Sequence, residues 1–367
     1  MSKQEKRKIL FVIHEMTMGG AQRVVSNLLN GLDRELFEVH LALFNKKGVL
    51  LENIKEDVII HDLKASRVVF GTHKLVGLIL KEKPAVVFTG ITHVNLMVAA
   101  FIPLFKLFLK ETMFITREVN IPTVRAKYMK KSKKMDRFYK RFIARFETII
   151  AQSNFMKEDI VKSYNLDEAK VTVVNNPLDK ESIFKELEQR GSAKSLPKDK
   201  INIVATGMLR KQKGFEQLLE VMPLLDEKYH LSIVGEGSER KVLEEKIERL
   251  DIANRVTLLG LQKNPYIYME EADIVVLSSL YEGFPNVILE ANVCGKFVVA
   301  FACPGVSEEI IIENLNGVLV EDKNVGAFAE AIEKYANVKH DKEKIIETVE
   351  RYALASVVES YKEIFIK

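Results

Sequence analysis

Two clusters in the second half of the chain have residue types and spacings suited to group transfer. The first is Ser279-Leu280-Tyr281-Glu282-Gly283-Phe284-Pro285-Asn286-Val287-Ile288-Leu289-Glu290-Ala291. An apolar strand precedes it, and its Gly-Phe-Pro turn leads into a helix. The opening N–H groups of a helix lack intrahelical acceptors and carry the positive end of its dipole, so they attract sugar oxygens or phosphate. Gly283 permits close backbone approach. Glu282 stands before the turn and Glu290 is read as two turns into the helix. Both carboxylates can look into one cleft and accept hydrogen bonds from sugar or ribose hydroxyls. The competing reading is a strand–turn–helix with two surface glutamates. The second cluster is Gly207-Met208-Leu209-Arg210-Lys211-Gln212-Lys213-Gly214. Basic groups at a strand end can neutralise a departing diphosphate without a metal, Lys213 as a point charge and Arg210 as a bidentate fork. Here the competing reading is a solvated basic turn.

Weaker signals lie elsewhere. Gly19 and Gly20, in Met18-Gly19-Gly20-Ala21-Gln22-Arg23, let backbone approach a ligand after the first strand, and a plain βα turn explains them as well. Gly235 and Gly237 follow a strand, Gly260 and Leu261 end another, and Cys303 to Glu309 form a turn that is equally readable as structural. His93 could assist an acceptor hydroxyl or be a structural histidine. The sequence holds no Asp-x-Asp signature, no metal-ligand cluster and no nucleophile beside a base. Donor activation is therefore expected to rest on fixed charges and helix dipoles, with no cofactor.

The elements that must position these residues are short apolar strands alternating with helical patterns. Strands are expected at Ile9–Ile13, Val39–Phe44, Ala85–Thr89, Met113–Thr116, Thr148–Ala151 and Val171–Val174, with helical spacing over Ala21–Leu32. A second series runs Ile201–Ala205, Leu231–Val234, Val256–Leu259, Ile274–Leu277, Phe297–Ala300 and Gly317–Val320. Each series predicts a doubly wound parallel sheet. The expected organisation is a first domain over 1–180, a polar linker over 181–200 with Gly191, Ser192 and Pro197, and a second domain over 201–349. Helical periodicity over Glu343–Ile366 predicts a final helix, about 350–367, crossing back to the first domain. Ligands of open parallel sheets sit at the carboxyl ends of the strands, so two such domains facing across a cleft suit a donor on one side and an acceptor on the other.

Composition narrows the classes. A chain of 367 residues exceeds one ordinary core. Lys+Arg number 55 against Asp+Glu 51, too balanced for a polybasic nucleic-acid binder. Cys294 and Cys303 lack metal-type spacing and read as reduced, partly buried thiols of a cytoplasmic protein. The start, Met1–Lys8, lacks the pattern of a secretory signal. Leu96–Leu109, the most apolar stretch, is broken by Pro103 and Lys106 and is shorter than the roughly 20 residues a bilayer needs.

The full string around Glu282 and Glu290 resembles the paired glutamates of the family-4 retaining glycosyltransferases, which have the GT-B fold, and the similarity covers nearly the whole chain. The resemblance implies transfer of a sugar from a nucleotide-diphosphate donor, by family preference a UDP-sugar, to a glycan or lipid-linked acceptor. It places Glu290 on the donor ribose, Glu282 beside the donor sugar and phosphate, and the turn backbone from Gly283 through Phe284 and Pro285 to Asn286 against the transferred sugar. Lys213 matches the lysine of the family's Gly-Arg-x-x-x-x-Lys-Gly phosphate clamp. Met208 occupies the arginine position, which leaves Arg210 to supply that charge. Gly19 and Gly20 are similar to the family's Gly-Gly-Ala-Glu-Arg loop, with Gln22 in place of glutamate. Gly235 and Gly237 resemble its Gly-x-Gly turn near the donor, and Gly260 with Leu261 the backbone that holds the base. Where many members carry a histidine after the fourth strand of the first series, this chain has Arg117 and Glu118, the acceptor-side candidates beside His93. A sugar phosphorylase, a nucleotide-sugar epimerase and a non-catalytic nucleotide-sugar-binding protein are the competing functions. A dehydrogenase is disfavoured, since no Gly-x-Gly-x-x-Gly follows the first strand.

The last signal is the stretch 125–146, where Lys127, Lys130, Lys131, Lys133, Lys134, Arg137, Lys140, Arg141 and Arg145 mix with Met135, Phe138, Tyr139, Phe142 and Phe146 at helical spacing. A basic amphipathic helix fits the inner face of an anionic membrane or a pyrophosphate-linked lipid acceptor. The competing reading packs Phe138, Phe142 and Phe146 against the sheet. Nucleic acid is not an expected partner, because no recognised binding module is present.

Overall fold

The computed structural model describes residues 6–17, 19–128, 133–189, 195–306 and 309–367, with backbone alone at 133–137. Met18, Lys130, Lys131, Gly191, Ser192, Ser307 and Glu308, and the side chains of Lys133, Lys134, Met135 and Arg137, lie outside what is described. By contacts the chain divides into Met1–Pro177 with Leu354–Lys367, and Leu178–Ala353.

The first unit holds β1 (Arg7–Ile13), β2 (Phe37–Leu43), β3 (Ile59–Asp62), β4 (Val86–Thr89), β5 (Met113–Arg117), β6 (Thr148–Ala151) and β7 (Val171–Val173). They form one parallel sheet in the order β3-β2-β1-β4-β5-β6-β7, with Ile9 between Val39 and Val86. β3 was not expected. Its short run Ile59-Ile60-His61-Asp62 is half polar and sits at the sheet edge, where one side needs no apolar cover. There His40 and His61 share a 2.8 Å ring-nitrogen contact, and the other His40 nitrogen meets Glu38 at 2.6 Å.

The second unit holds β8 (Ile201–Thr206), β9 (Tyr229–Val234), β10 (Val256–Gly260), β11 (Ile274–Leu277), β12 (Val298–Phe301) and β13 (Gly317–Val320), parallel in the order β10-β9-β8-β11-β12-β13. Alternation along each strand divides the core into two layers. Ile203, Ala205, Leu231, Ile233, Ile274 and Val276 pack on one face, and Val204, Val234, Val275 and Leu277 on the other.

Strand order reverses at β1/β4 in the first unit and at β8/β11 in the second. In open parallel sheets the crevice at such a switch point, at the carboxyl ends of the strands, receives the ligand.

Three expectations need correction. The supposed linker begins with a helix, Lys180–Glu188, because Asp179 caps it by accepting the Ser182 N–H at 3.0 Å and Ile183 is buried. The final periodic stretch is broken into a helix Lys342–Glu347, a tight turn Glu350–Tyr352 and a helix Leu354–Ile366. That last helix packs in the first unit, where Tyr361 meets Phe88 and Phe365 meets Phe11 edge-on at 5.8 and 6.0 Å. The basic stretch is two helices, Pro122–Tyr128 and Lys133–Ile143. On the second, Tyr139 and Ile143 are buried, followed by Phe146, while Phe138 is exposed and Phe142 half-buried. The inward face is thus offset from the one that 138, 142 and 146 would define.

Candidate active site

The turn after β8 and the turn after β11 flank the switch point of the second unit and are stitched together. The Lys213 ammonium lies 2.7 Å from Glu282 Oε1, with side chains 17% and 8% exposed. The Ser279 hydroxyl donates to the same oxygen at 2.6 Å, and the Ser278 hydroxyl donates to the Lys213 carbonyl at 2.9 Å. The Leu280 N–H reaches the Gln212 carbonyl at 2.8 Å, and the Gln212 amide reaches the Tyr281 carbonyl at 3.1 Å. Gly214 makes this approach possible. It has φ +61, and a Cβ there would stand 2.1 Å from the Ser278 carbonyl oxygen. Sequence reasoning passed over Ser278 and gave Ser279, the first residue of the run, no role. Two hydroxyl residues directly after an apolar strand were the available signal.

The neighbouring strand ends close the same edge. The Gly207 N–H bonds the Val234 carbonyl at 3.0 Å, and the Gly235 N–H bonds the Gly260 carbonyl at 2.9 Å. Gly235 is required, since a Cβ would stand 1.9 Å from the Gly207 carbonyl oxygen. Gly237 abuts the Leu209 carbonyl, and Leu261 is 82% exposed. The Glu282 N–H bonds the Pro304 carbonyl at 2.8 Å, which brings in the turn at Cys303. The helix of the Glu282–Glu290 run is Asn286–Val293, with no side-chain cap at Pro285. Glu290 is half-buried and lies about one turn in, not two, because the helix begins only at Asn286. The Phe284 ring is buried edge-on against Tyr352 at 5.8 Å, Pro285 beside it is buried and Gly283 is half-buried.

Arg210 is exposed. It lines a hollow of about 400 Å³ with Lys211, Glu220, Glu239 and Lys246, whose walls do not include Lys213. Met208 is 47% exposed. Lys213 is therefore the basic side chain that this turn brings to Glu282. Cys294 and Cys303 are free and buried, deeper than expected, and burial pushes the Cys294 thiol up to about 12. Burial also raises Cys303, with the Glu282 carboxylate adding to it. Among the described residues no group of three or more His, Cys, Asp or Glu is gathered to hold a metal.

In the first unit, Gly19 and Gly20 open the helix Gly20–Gly31 after β1. His93 lies in the first turn of the helix Thr92–Phe108 after β4, exposed and edge-on to His14 at 5.6 Å. These residues flank that unit's switch point. Arg117 and Glu118, one strand removed, are built into the scaffold instead. Arg117 is 2% exposed, donates to Asn176 Oδ1 and lies beside Tyr361, and burial lowers its pKa. Glu118 is fully buried. Its Oε1 accepts from the Tyr139 hydroxyl and from Asn95 at 3.3 Å, and burial raises its pKa.

Two Rossmann-like units, each with its polar residues at the carboxyl edge of a parallel sheet, are the parts of the GT-B fold. Solved structures share this fold. Anabaena HepE in complex with UDP-glucose has a TM-score of 0.77 at 19% identity, over 98% of this chain and 99% of that one. WaaG, a glycosyltransferase involved in lipopolysaccharide biosynthesis, gives 0.70 at 16% identity, over 97% and 99%. The profile of the Glycosyl transferases group 1 family matches residues 188–352, and that of Glycosyltransferase Family 4 matches 18–182. The N-acetylgalactosamine-N,N'-diacetylbacillosaminyl-diphospho-undecaprenol 4-alpha-N-acetylgalactosaminyltransferase of Campylobacter jejuni is 30% identical over 330 residues, 87% of each chain. The lipopolysaccharide core biosynthesis glycosyltransferase LpsD of Rhizobium meliloti is 33% identical over 111 residues, 30% of this chain and 32% of that one. The chain belongs to the family-4 glycosyltransferases.

Proposed function

We propose that this glycosyltransferase moves a sugar, with retention of anomeric configuration, from a UDP-sugar to a glycan or lipid-linked saccharide acceptor in the synthesis of lipopolysaccharide, cell-surface polysaccharide or a related glycoconjugate. The observation that carries the reading is the Lys213–Glu282 pair at the switch point of the second unit. The Campylobacter relative, named for a diphospho-undecaprenol-linked acceptor, and the UDP-glucose complex of a protein with the same fold support the choice of acceptor and donor.

In this mechanism Glu290 accepts bonds from the donor ribose, the backbone of Gly283 to Asn286 faces the sugar, and Gly235, Gly237, Gly260 and Leu261 border the nucleotide. The bond from C1 to the diphosphate oxygen breaks while the acceptor hydroxyl bonds to C1 on the vacated face. The acceptor proton leaves with the nucleoside diphosphate. Lys213 meets the charge that grows on the diphosphate, and a preorganised charge of this kind contributes about 10²–10³ in rate. No metal is needed for that step, so turnover is expected to survive EDTA. Gly19, Gly20 and His93 are the acceptor-side candidates.

Among the described residues no helix is long and apolar enough to cross a membrane. The proposed location is the cytoplasm, with peripheral contact at the inner membrane face through 125–146. The test is a thermal-shift screen of UDP-, GDP- and ADP-sugars, followed by NMR of the product's anomeric proton. A melting temperature raised selectively by a UDP-sugar, then nucleotide release with the donor's anomeric configuration kept, is expected. Inverted configuration, or binding with no release under any acceptor, would overturn the proposal.

A further inference from the structure

Pro103 lies inside the helix Thr92–Phe108 and has no N–H to give the Ala99 carbonyl, its partner one turn back. Arg145 supplies the missing donor. Its Nη1 reaches the Ala99 and Ala100 carbonyls, each at 3.1 Å, and its guanidinium lies 4.3 Å from the centre of the Phe142 ring. Phe142 in turn stacks on Phe138 at 6.3 Å. Arg145, two residues past the end of the second helix, thus ties that helix to the one that contains the proline. One turn beyond Ala100 the first of these helices continues outward with Leu104, Leu107 and Phe108, which are 38%, 70% and 68% exposed, while Phe138 is 49% exposed.

The border of this apolar strip is basic. Lys140 and Arg141 are exposed on the second helix. At the other end Phe108 helps to line a hollow of about 1170 Å³ at the amino-terminal edge of the sheet, together with Arg7, Lys83, Lys110 and Lys367. Among the described residues lining it, seven are Lys or Arg and three are Glu.

We infer that this strip, centred on Leu104, Leu107 and Phe108, is the part of the chain that seats in an anionic lipid bilayer. Large exposed apolar patches mark interaction surfaces, and a basic border selects a partner with anionic heads over apolar tails. The inference rests on the proposed membrane contact and moves its apolar anchor from 125–146 to the end of the neighbouring helix. The basic residues of the second helix then hold the enzyme electrostatically, an attraction that fades within a Debye length.

The chain contains no tryptophan, so Phe108→Trp installs a single reporter. Mixed with phosphatidylglycerol–phosphatidylcholine vesicles, its emission is expected to shift to the blue, with no shift on pure phosphatidylcholine. The double variant Leu107→Ser/Phe108→Ser is expected to lose about tenfold or more in vesicle partitioning while keeping its melting temperature and its transfer to a water-soluble acceptor. If the wild type binds anionic vesicles and the double variant binds equally well, this anchor is wrong while contact through 125–146 stands. If the wild type never binds, both fall. A wild-type dimer in sedimentation velocity that the double variant breaks, without vesicle binding, assigns the strip to a second copy and overturns the inference.

Discussion

Lys213 and Glu282 are 69 residues apart and meet at 2.7 Å, whereas Arg117 and Glu118 are neighbours in the chain and serve different surroundings. Both sets stand at the carboxyl edge of a parallel sheet. Arg117 ends β5 and Glu118 follows it, so the alternation of an extended chain separates them. One reaches Asn176 and Tyr361, the other Asn95 and Tyr139. Lys213 and Glu282 sit in turns after β8 and β11, the strands between which the order reverses, and converge on one crevice. An acid beside a base in sequence therefore need not meet it, whereas an acid and a base in turns on either side of a switch point can.

The same substitution at both glutamates sharpens this contrast. Glu282→Gln is expected to lower kcat by about 10²-fold with little change in melting temperature, since it removes the counter-charge that orients Lys213. Glu118→Gln is expected to leave kcat within about twofold. Equal kinetic losses at the two positions would erase the distinction. Next in size is stability. Glu118→Ala leaves the Tyr139 hydroxyl and the Asn95 amide without their buried acceptor and is expected to cost about 1–3 kcal/mol in a denaturant melt, with normal kinetics in the folded fraction. An unchanged midpoint would mean that this node does not hold the scaffold.

Smaller still is Ser279→Ala. The hydroxyl holds Glu282 Oε1 at 2.6 Å, so its loss is expected to lower kcat by about five- to tenfold with donor KM nearly constant, and Ser279→Thr should restore most of it. A change confined to melting temperature would make Ser279 merely structural. The smallest effect concerns the far edge of the first sheet. Burial, then the neighbouring His40, lowers the pKa of His61. The unfolded chain takes up this proton below about pH 6.5 and the folded chain resists it. Stability should decline gently as pH falls from there towards the lowered value and stay flat above it. His61→Gln should reduce that slope, and an unaltered slope would place the titration elsewhere.

Much of this was legible in the sequence because parallel strands buried on both faces read as continuous apolar runs, such as Ile274–Leu277 and Val298–Phe301. The half-polar edge strand β3 gave no such signal. The Glu282–Glu290 run and Lys213 were visible as residue types in strand-end turns. Their mutual geometry was not, because the serine clasp depends on contacts between turns far apart in the chain. The basic stretch was visible by composition, but its inward face was offset, and nothing local linked Pro103 to Arg145.

The central claim is that the charge held at the switch point of the second unit drives departure of the nucleoside diphosphate. Steady-state kinetics of Lys213→Ala, with circular dichroism to verify folding, test it most directly. The expected result is a fall in kcat of about 10²–10³-fold that exceeds any rise in donor KM. A rise in KM at unchanged kcat would contradict it, leaving Lys213 as an anchor for the bound donor alone.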